Sequence, residues 1–337
     1  MKITHAKLYR YKLPLLHSFP RSVDRHAHGF IVALNTSNGS RYGELADAAL
    51  SGAETPKLAQ AQLCEAIDNG CLIAEDFCAP VSWALSSSQW DFPTPAGSVL
   101  LNALLDASDS SVVDQALSRH TEGYRCFKIK IGDGNLSEEI TRIAELSKVL
   151  GKGITLRLDA NRKLRLETAV EFARALKKTS IEYFEEPFAD LGLIDEFHRL
   201  TGMKVALDET VLTPDFERYQ RHEAVSTYVL KASRIGTLAE VMRLINVAKS
   251  HDRNFVVSST FESGIGLSVL AKLAVIGQAR PVAMGLGTGS YFAADLVAPP
   301  LRPFRGHLVF GAPHRVSEQV YLEESRYCEL VFERRFP

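Results

Sequence analysis

Five charged residues recur through the middle of the chain at intervals of 23 to 29 residues: Lys130, Asp159, Glu185, Asp208 and Lys231. Each ends a short apolar run. An interval of that size is one strand plus one helix, and enzymes built on parallel strands carry their reactive groups where the strands end. Three carboxylates brought to neighbouring strand ends repel one another too strongly to stay ionised in a dry site without a cation. Oxygen-only ligands suit a hard ion, so Asp159, Glu185 and Asp208 point to Mg2+ first and Mn2+ second. Any one of these acids alone is as well explained as a helix N-cap at a strand–helix turn. The argument for a metal rests on the series.

The lysines suggest proton chemistry. Lys128 and Lys130 alternate with apolar Phe127, Ile129 and Ile131, so they share one face of a strand, and that face is expected to point inward. Two ammonium groups in a dry site should lower the pKa of at least one of them, as a base working near neutral pH requires. On an edge strand the same Lys-x-Lys would be two solvated groups. Lys231 is expected across the site from Lys130, with a substrate between them. Arg157 shares the inward face of Asp159 and suits either a substrate carboxylate or a neighbouring acid. Asn161 either orients a ligand or shapes the turn. Glu186 and Glu209, one residue beyond their acids, should point away and take supporting or surface roles.

These residues need elements to position them. Apolar runs occur at 99–104, 126–131, 154–158, 181–184, 204–207, 228–230, 255–257 and 281–286. Helical patterns lie between them, such as 137–150, stopped by Gly151, and 237–249, opened by Thr237-x-x-Glu240 in the form of a capping box. Strand, helix and strand repeated in this way imply parallel strands with right-handed crossovers, and eight in about 200 residues suit a barrel. Residues 1–95 read differently, with strand-like runs at 2–13 and 29–35, a turn at Ser37-Asn38-Gly39 and a helix at 56–69. The expected organisation is an α+β capping domain at 1–95, a barrel at 96–300 entered after Pro93-Thr94-Pro95, and a segment at 301–337 that packs back on the capping domain.

Composition narrows the partners. The 39 Lys and Arg nearly balance the 40 Asp and Glu, so no overall field draws the chain to nucleic acid or an anionic membrane. No apolar stretch approaches the length of a membrane span. Five cysteines, Cys64, Cys71, Cys78, Cys126 and Cys328, with no CxxC pair, fit neither a disulfide framework nor a structural zinc site, so a reducing cytoplasm is expected. The seven-residue spacing of Cys64, Cys71 and Cys78 reads as helical burial. The partner expected is a small-molecule carboxylate; an oligomeric partner is not indicated either way.

Together, Lys128-Ile129-Lys130, Asp159-Ala160-Asn161, Glu185-Glu186-Pro187, Asp208-Glu209 and Lys231 resemble the two-lysine, muconate-lactonizing subgroup of the enolase superfamily, in order and spacing, over about residues 95–300. The resemblance implies a (β/α)7β TIM-like barrel with an N-terminal α+β capping domain. It also implies removal of a proton α to a carboxylate by a lysine working with Mg2+, which is the established chemistry of that superfamily. Asp159, Glu185 and Asp208 would then be metal ligands, Lys130 the proton-transfer lysine, Lys128 its modulator and Lys231 the group on the opposite face. Arg157-Leu158-Asp159-Ala160-Asn161-Arg162, Ser258-Ser259-Thr260-Phe261-Glu262-Ser263-Gly264 and Gly285-Leu286-Gly287-Thr288 are similar to the o-succinylbenzoate synthase family of menaquinone biosynthesis, lyases that dehydrate a cyclohexadiene carboxylate to an aromatic acid. On that reading Ser258, Ser259, Thr260, Gly287, Thr288 and Arg157 contact substrate, and Asn161 and Glu209 support the ligands.

Other readings remain beside this one. Dipeptide epimerases place Asp-x-Asp where Gly287-Thr288-Gly289 stands here, which disfavours an ammonium substrate. N-acylamino acid racemase and muconate cycloisomerase differ in how they use Lys130 and Lys231, and their presence alone does not decide. A phosphate cradle at Gly285-x-Gly287-x-Gly289 lacks the helix that should follow it. His26-x-His28 reads as two polar loop groups at the surface rather than a zinc pair, and residues 17–28 as a loop bearing on substrate choice. A metal-binding barrel without catalysis would be expected to have lost a key group.

Overall fold

The computed structural model describes residues 2–16, 24–37, 39–70, 77–90, 97–277, 281–311 and 319–337. Pro93-Thr94-Pro95, Asn38 and Cys71 lie outside the described residues, as does the first part of the 17–28 loop.

Strands Ile3–Pro14 (β1), His26–Thr36 (β2) and Gly39–Ala46 (β3) form an antiparallel sheet. Two helices, Pro56–Asp68 (α1) and Ala79–Ser88 (α2), follow. Thr55 starts α1 by accepting from the Leu58 N–H, with Pro56 at the first helical position, where its missing N–H costs nothing. Leu8, Phe30, Val32, Leu63, Ile67 and Leu85 make a separate core between this sheet and the helices. Cys64 lies within α1 and Cys78 caps α2, so the seven-residue cysteine spacing is not one helix face; two helices divide it.

Gly97–Leu100 (β4) leads into a parallel sheet of Asn102–Asp106 (β5), Cys126–Lys130 (β6), Thr155–Asp159 (β7), Ile181–Glu185 (β8), Val205–Leu207 (β9), Val225–Leu230 (β10) and Asn254–Val257 (β11), whose spatial order is the chain order. The helices between them are Val112–Thr121 (α3), Leu136–Leu150 (α4), Leu166–Ala175 (α5), Leu193–Thr201 (α6), Asp215–Tyr219 (α7), Ala232–Ile235 (α8), Leu238–Ser250 (α9) and Gly264–Gly277 (α10). α4 ends at Gly151, at φ 73°, and α9 is capped by the Thr237 hydroxyl accepting from Glu240 N–H. The run 281–286 supplies only two bridges: Met284 pairs in parallel with Leu101 and Gly285 with Ser258, so this segment joins both edges of the sheet. A side chain at 285 would meet Ser258 Oγ at 2.7 Å, so the join requires glycine there.

The apolar run 99–104 proves to be two elements. β4 pairs antiparallel with His307–Phe310 (β13), and the strand of the parallel sheet begins only at Asn102. Beyond the parallel sheet, Val297–Ala298 (β12) pairs with Gln319–Val320 (β14), and Cys328–Arg335 (β15) runs antiparallel to β1 as an edge of the capping sheet.

A second tie between the two parts is Glu44 on β3. Its buried carboxyl accepts from Tyr11 Oη (2.8 Å), Ser263 N–H (2.8 Å), Ser263 Oγ (2.6 Å) and Gly266 N–H (2.8 Å), and so closes the N-terminus of α10 from the capping side. Burial, reinforced by neighbouring Glu262, raises its pKa to about 7 against these donors. The unfolded chain releases this proton near 4.5 and the folded chain near 7, so over that window the folded form binds the proton more tightly and stability falls as pH rises. Glu44→Gln removes that slope. Because one amide oxygen cannot satisfy four donors, the variant should be less stable than wild type by about 1–3 kcal/mol near pH 5, and thermal unfolding should show the gap narrowing toward pH 7.5. A gap that widens with pH would mean that the carboxyl is ionised in the folded protein.

Candidate functional site

Register sets the level of the reactive groups. In the parallel ladder Asp106 pairs with Lys130, Lys130 with Asp159, and Asp159 with Glu185, so four ionisable side chains end adjacent strands at one height. Asp208 follows β9 directly and Lys231 follows β10. The three acids thus occupy the ends of β7, β8 and β9, with Lys130 on one flank and Lys231 on the other. They are 3%, 1% and 4% exposed. Lys128, Lys130, Asp159, Asn161, Glu185, Glu209 and Lys231 all line one cavity of about 930 Å3.

Lys128 Nζ donates to Glu185 Oε1 at 2.7 Å and lies 3.0 Å from Asp159 Oδ2; Lys231 is paired with Asp208. Burial works against charge on Lys128, but Glu185, Asp159 and Asp208 outweigh it and hold its pKa well above the usual lysine range. Lys128 is therefore not the lysine whose pKa its neighbour lowers: it turns to the acids, whereas Lys130 Nζ donates to Asn161 Oδ1 at 2.8 Å. Burial drives Glu185 up to about 8, opposed by Lys128 and reinforced by the neighbouring carboxylates. Asp159 is buried too, yet Lys128, Lys130 and the Asn161 N–H together pull its carboxyl below the ordinary value.

The donor set suits a hard cation. It is all oxygen, and Glu185 Oε2 is buried with no hydrogen-bond partner among the described residues, which an acceptor of that charge rarely tolerates. As the side chains stand, no group of three or more acidic, histidine or cysteine ligands among the described residues converges at metal-holding distance. The ammonium groups of Lys128 and Lys231 lie against the oxygens instead. Swinging those two amines aside would free the acids to face one another.

The turns that follow the acids are tightly built. Asn161 lies at φ 43°, and its N–H donates to Asp159 Oδ1 at 3.1 Å. Glu186, also at positive φ, is fully buried. Its carboxylate accepts from the N–H groups of Asp208 (2.8 Å) and Thr210 (2.7 Å) and from Arg162 Nε (3.0 Å), so a surface role is excluded and its work is to fix the Asp208 turn. Glu209 faces the cavity, with Oε1 at 3.5 Å from Asn161 Nδ2, and burial beside Asp208 raises its pKa.

Ser258, Ser259, Thr260, Gly287 and Thr288 line the opposite wall. Ser259 Oγ lies 2.7 Å from Thr288 Oγ1 and donates to Glu262 Oε2 at 2.6 Å. Glu262 also accepts from Thr260 N–H (2.7 Å) and Thr260 Oγ1 (2.6 Å). That buried hub was present in the Ser-Ser-Thr-Phe-Glu motif without an assigned part. The glycine turn at 287–291 is a 3-10 turn, and a side chain on Gly289 would strike Leu301 O at 2.4 Å, so that glycine serves packing.

Arg157 does not line the cavity. Its Nε donates to Glu182 Oε2 at 2.7 Å and its Nη1 to Ala283 O at 2.7 Å, with the guanidinium 5.2 Å from the Tyr183 ring centre. It ties β7 and β8 to the segment that joins the sheet edges, and this replaces the substrate-contact expectation. Arg157→Met should strand Glu182 and the Ala283 carbonyl and destabilise the fold by about 3–5 kcal/mol, read as a lower thermal midpoint. An unchanged midpoint with weakened carboxylate binding would restore the substrate role.

With this geometry in view, relatives can be compared. Residues 111–313 match the family model for enolase C-terminal domain-like proteins. The chain is 35% identical over 156 residues to an o-succinylbenzoate synthase of Haemophilus influenzae, covering 45% of this chain and 47% of that protein. It is 30% identical over 317 residues to an o-succinylbenzoate synthase of Yersinia pestis, covering 87% and 93%. The match spans about half of the Haemophilus protein's length. Among solved structures, the L-Ala-D/L-Glu epimerase of Bacillus subtilis aligns with TM-score 0.79 at 19% identity, covering 95% of this chain and all of that one. An N-succinyl Arg/Lys racemase of Bacillus cereus aligns with TM-score 0.77 at 20% identity, covering 98% and 100%. At such identities these two likenesses concern the fold.

Proposed function

Because the chain belongs to the enolase C-terminal domain-like family, we propose that it is an o-succinylbenzoate synthase, a lyase that dehydrates a succinyl-hydroxycyclohexadiene carboxylate to o-succinylbenzoate on the route to menaquinone. We read its parallel sheet and joining segment as a (β/α)7β barrel. The observation that carries the proposal is the row of three buried carboxylates at successive strand ends, two of which, Asp159 and Glu185, share one cavity with Lys130 and Lys231. The relatives of that name, one matched over most of its length, support the choice of reaction. No helix among the described residues is long and apolar enough to cross a membrane, which accords with action in the cytoplasm on a small molecule.

In this reading Asp159, Glu185 and Asp208 hold Mg2+, or Mn2+ in its place, and the ion when bound supplies Lewis-acid stabilisation where oxyanion charge develops. Lys130, oriented by Asn161, takes the proton α to the substrate carboxylate; the resulting ammonium returns that proton to the departing hydroxide, so the C–O bond breaks, water leaves and the amine is regenerated. Lys231 stands on the other flank with its positive charge toward the enediolate and the face of the forming ring. Lys128 balances the acids. Ser258, Ser259, Thr260, Gly287 and Thr288 shape the wall facing the acyl chain.

A second reading has a specific observation behind it: lysines on both flanks also suit two-base racemisation of an N-acyl amino acid, the kind of activity named for the Bacillus cereus structure. The purified protein should convert the cyclohexadienol in the presence of Mg2+, lose activity on chelation and recover it with Mg2+ or Mn2+. Lys130→Ala should lower kcat by about 10²–10⁴-fold with the circular dichroism spectrum unchanged. Turnover in metal-free protein, or a variant near wild-type rate, would overturn the assignment. A marked preference for racemising N-acyl amino acids would select the second reading.

A further inference from the structure

Among the groups lining the cavity, Arg234 has no part in the proton chemistry above and carries a charge that no ion pair among the described residues neutralises. It lies on α8, its backbone N–H donating to Lys231 O at 2.9 Å, so it stands just beyond the lysine on the same wall. Its Nη2 makes one long contact, 3.4 Å, to Ala48 O of the capping domain, and its buried Nε has no hydrogen-bond partner among the described residues. The other arginine on the cavity wall differs: Arg119 is paired with Glu122 at 2.8 Å. Among the described residues, no acid lies within ion-pair distance of Arg234. Asp47, the nearest acid in chain position to Ala48, also lines the cavity, but burial raises its pKa, with His28 opposing, and its Oδ1 is likewise without a partner.

A guanidinium stays charged at any physiological pH and presents Nε and one Nη as a fork matched to the two oxygens of a carboxylate. A buried donor left without an acceptor is costly, and a ligand oxygen removes that cost. In the reaction proposed above, the substrate carboxylate next to the acidic proton is taken up between Lys130 and Lys231. Arg234 is therefore available to a different anionic group, at the edge where the barrel meets the capping domain.

We propose that Arg234 binds the second carboxylate of a dicarboxylate substrate, through Nε and Nη2, and so sets the preference for a succinyl over an uncharged acyl chain. This rests on the reaction proposed above, where the succinyl group ends in such a carboxylate. The test is calorimetric titration of the Mg2+-loaded protein with o-succinylbenzoate and with o-butyrylbenzoate, which lacks the distal carboxylate. Wild type should prefer the diacid by about ten- to a hundredfold. Arg234→Met should abolish the preference by weakening the diacid alone, and Arg234→Lys should restore part of it. A preference that survives in Arg234→Met, or equal weakening of both ligands, would overturn the inference, as would a wild type that binds the two alike. A wild type that binds neither aromatic acid would instead reject the proposed reaction, and the inference with it.

Discussion

Three carboxylates buried side by side cannot share a low-dielectric site unless positive charge is placed among them. Everything else in the molecule follows from accommodating that constraint. The parallel ladder makes the crowding unavoidable, because in-register strands bring Asp159 and Glu185 to one height and Asp208 arrives one residue past the next strand. Lys128 and Lys231 answer it in the structure as it stands, and Glu185, the most deeply buried of the three, is driven up to about 8 even so. An all-oxygen cluster that its own lysines only partly satisfy is the kind of environment in which a divalent cation binds tightly, since it replaces two single charges with one double charge at shorter range. It would also release both amines into the cavity.

Holding such a cluster requires rigid turns. Glu186 sits at positive φ and gathers the N–H groups of Asp208 and Thr210 with Arg162, while Glu262 gathers Ser259 and Thr260 across the cavity. Both are buried acids satisfied by several donors, which is the condition under which a buried charge is tolerated. Arg157 does the same service beneath the site by tying β7 and β8 to the joining segment. Charged side chains are thus used structurally around the site, and the reacting groups inherit fixed positions from them.

Much of this was legible in the sequence, for a definable reason. Parallel strands covered on both faces leave continuous apolar runs, so the charged residue that ends each run is easily seen. What failed depended on partners far away in the chain. The run 99–104 is unbroken in composition, but residues 97–100 pair with a strand some 200 positions later. Arg157 suited a substrate or a neighbouring acid equally in the sequence; Glu182 bears out the acid, and the second acceptor that fixes the guanidinium is a backbone carbonyl 126 residues away. Lys128 was weighed against Lys130 alone, and only strand pairing reveals that two carboxylates lie nearer. β3, with its exposed first half and buried second half, has no period to detect, and its Glu44 meets α10 across 219 residues.

The division of labour between the two parts of the chain bears on how substrates are distinguished. The acids and lysines come from strand ends whose spacing the ladder fixes, so on the proposed reaction a different acyl chain would be accommodated only where the wall is not part of the ladder. Those places are the turns after β11 and the joining segment, and the capping residues Asp24, His26, His28 and Asp47, which line the same cavity. Asp24 lies 3.3 Å from His28 Nε2 and 3.5 Å from His26 Nδ1, so this rim is polar. Because Glu44 and β15 bind the capping sheet firmly into place, the rim is held at a set height above the lysines. On the reaction proposed above, Arg234 would read the terminal charge of the acyl group and the rim its length, while the proton chemistry beneath stays the same.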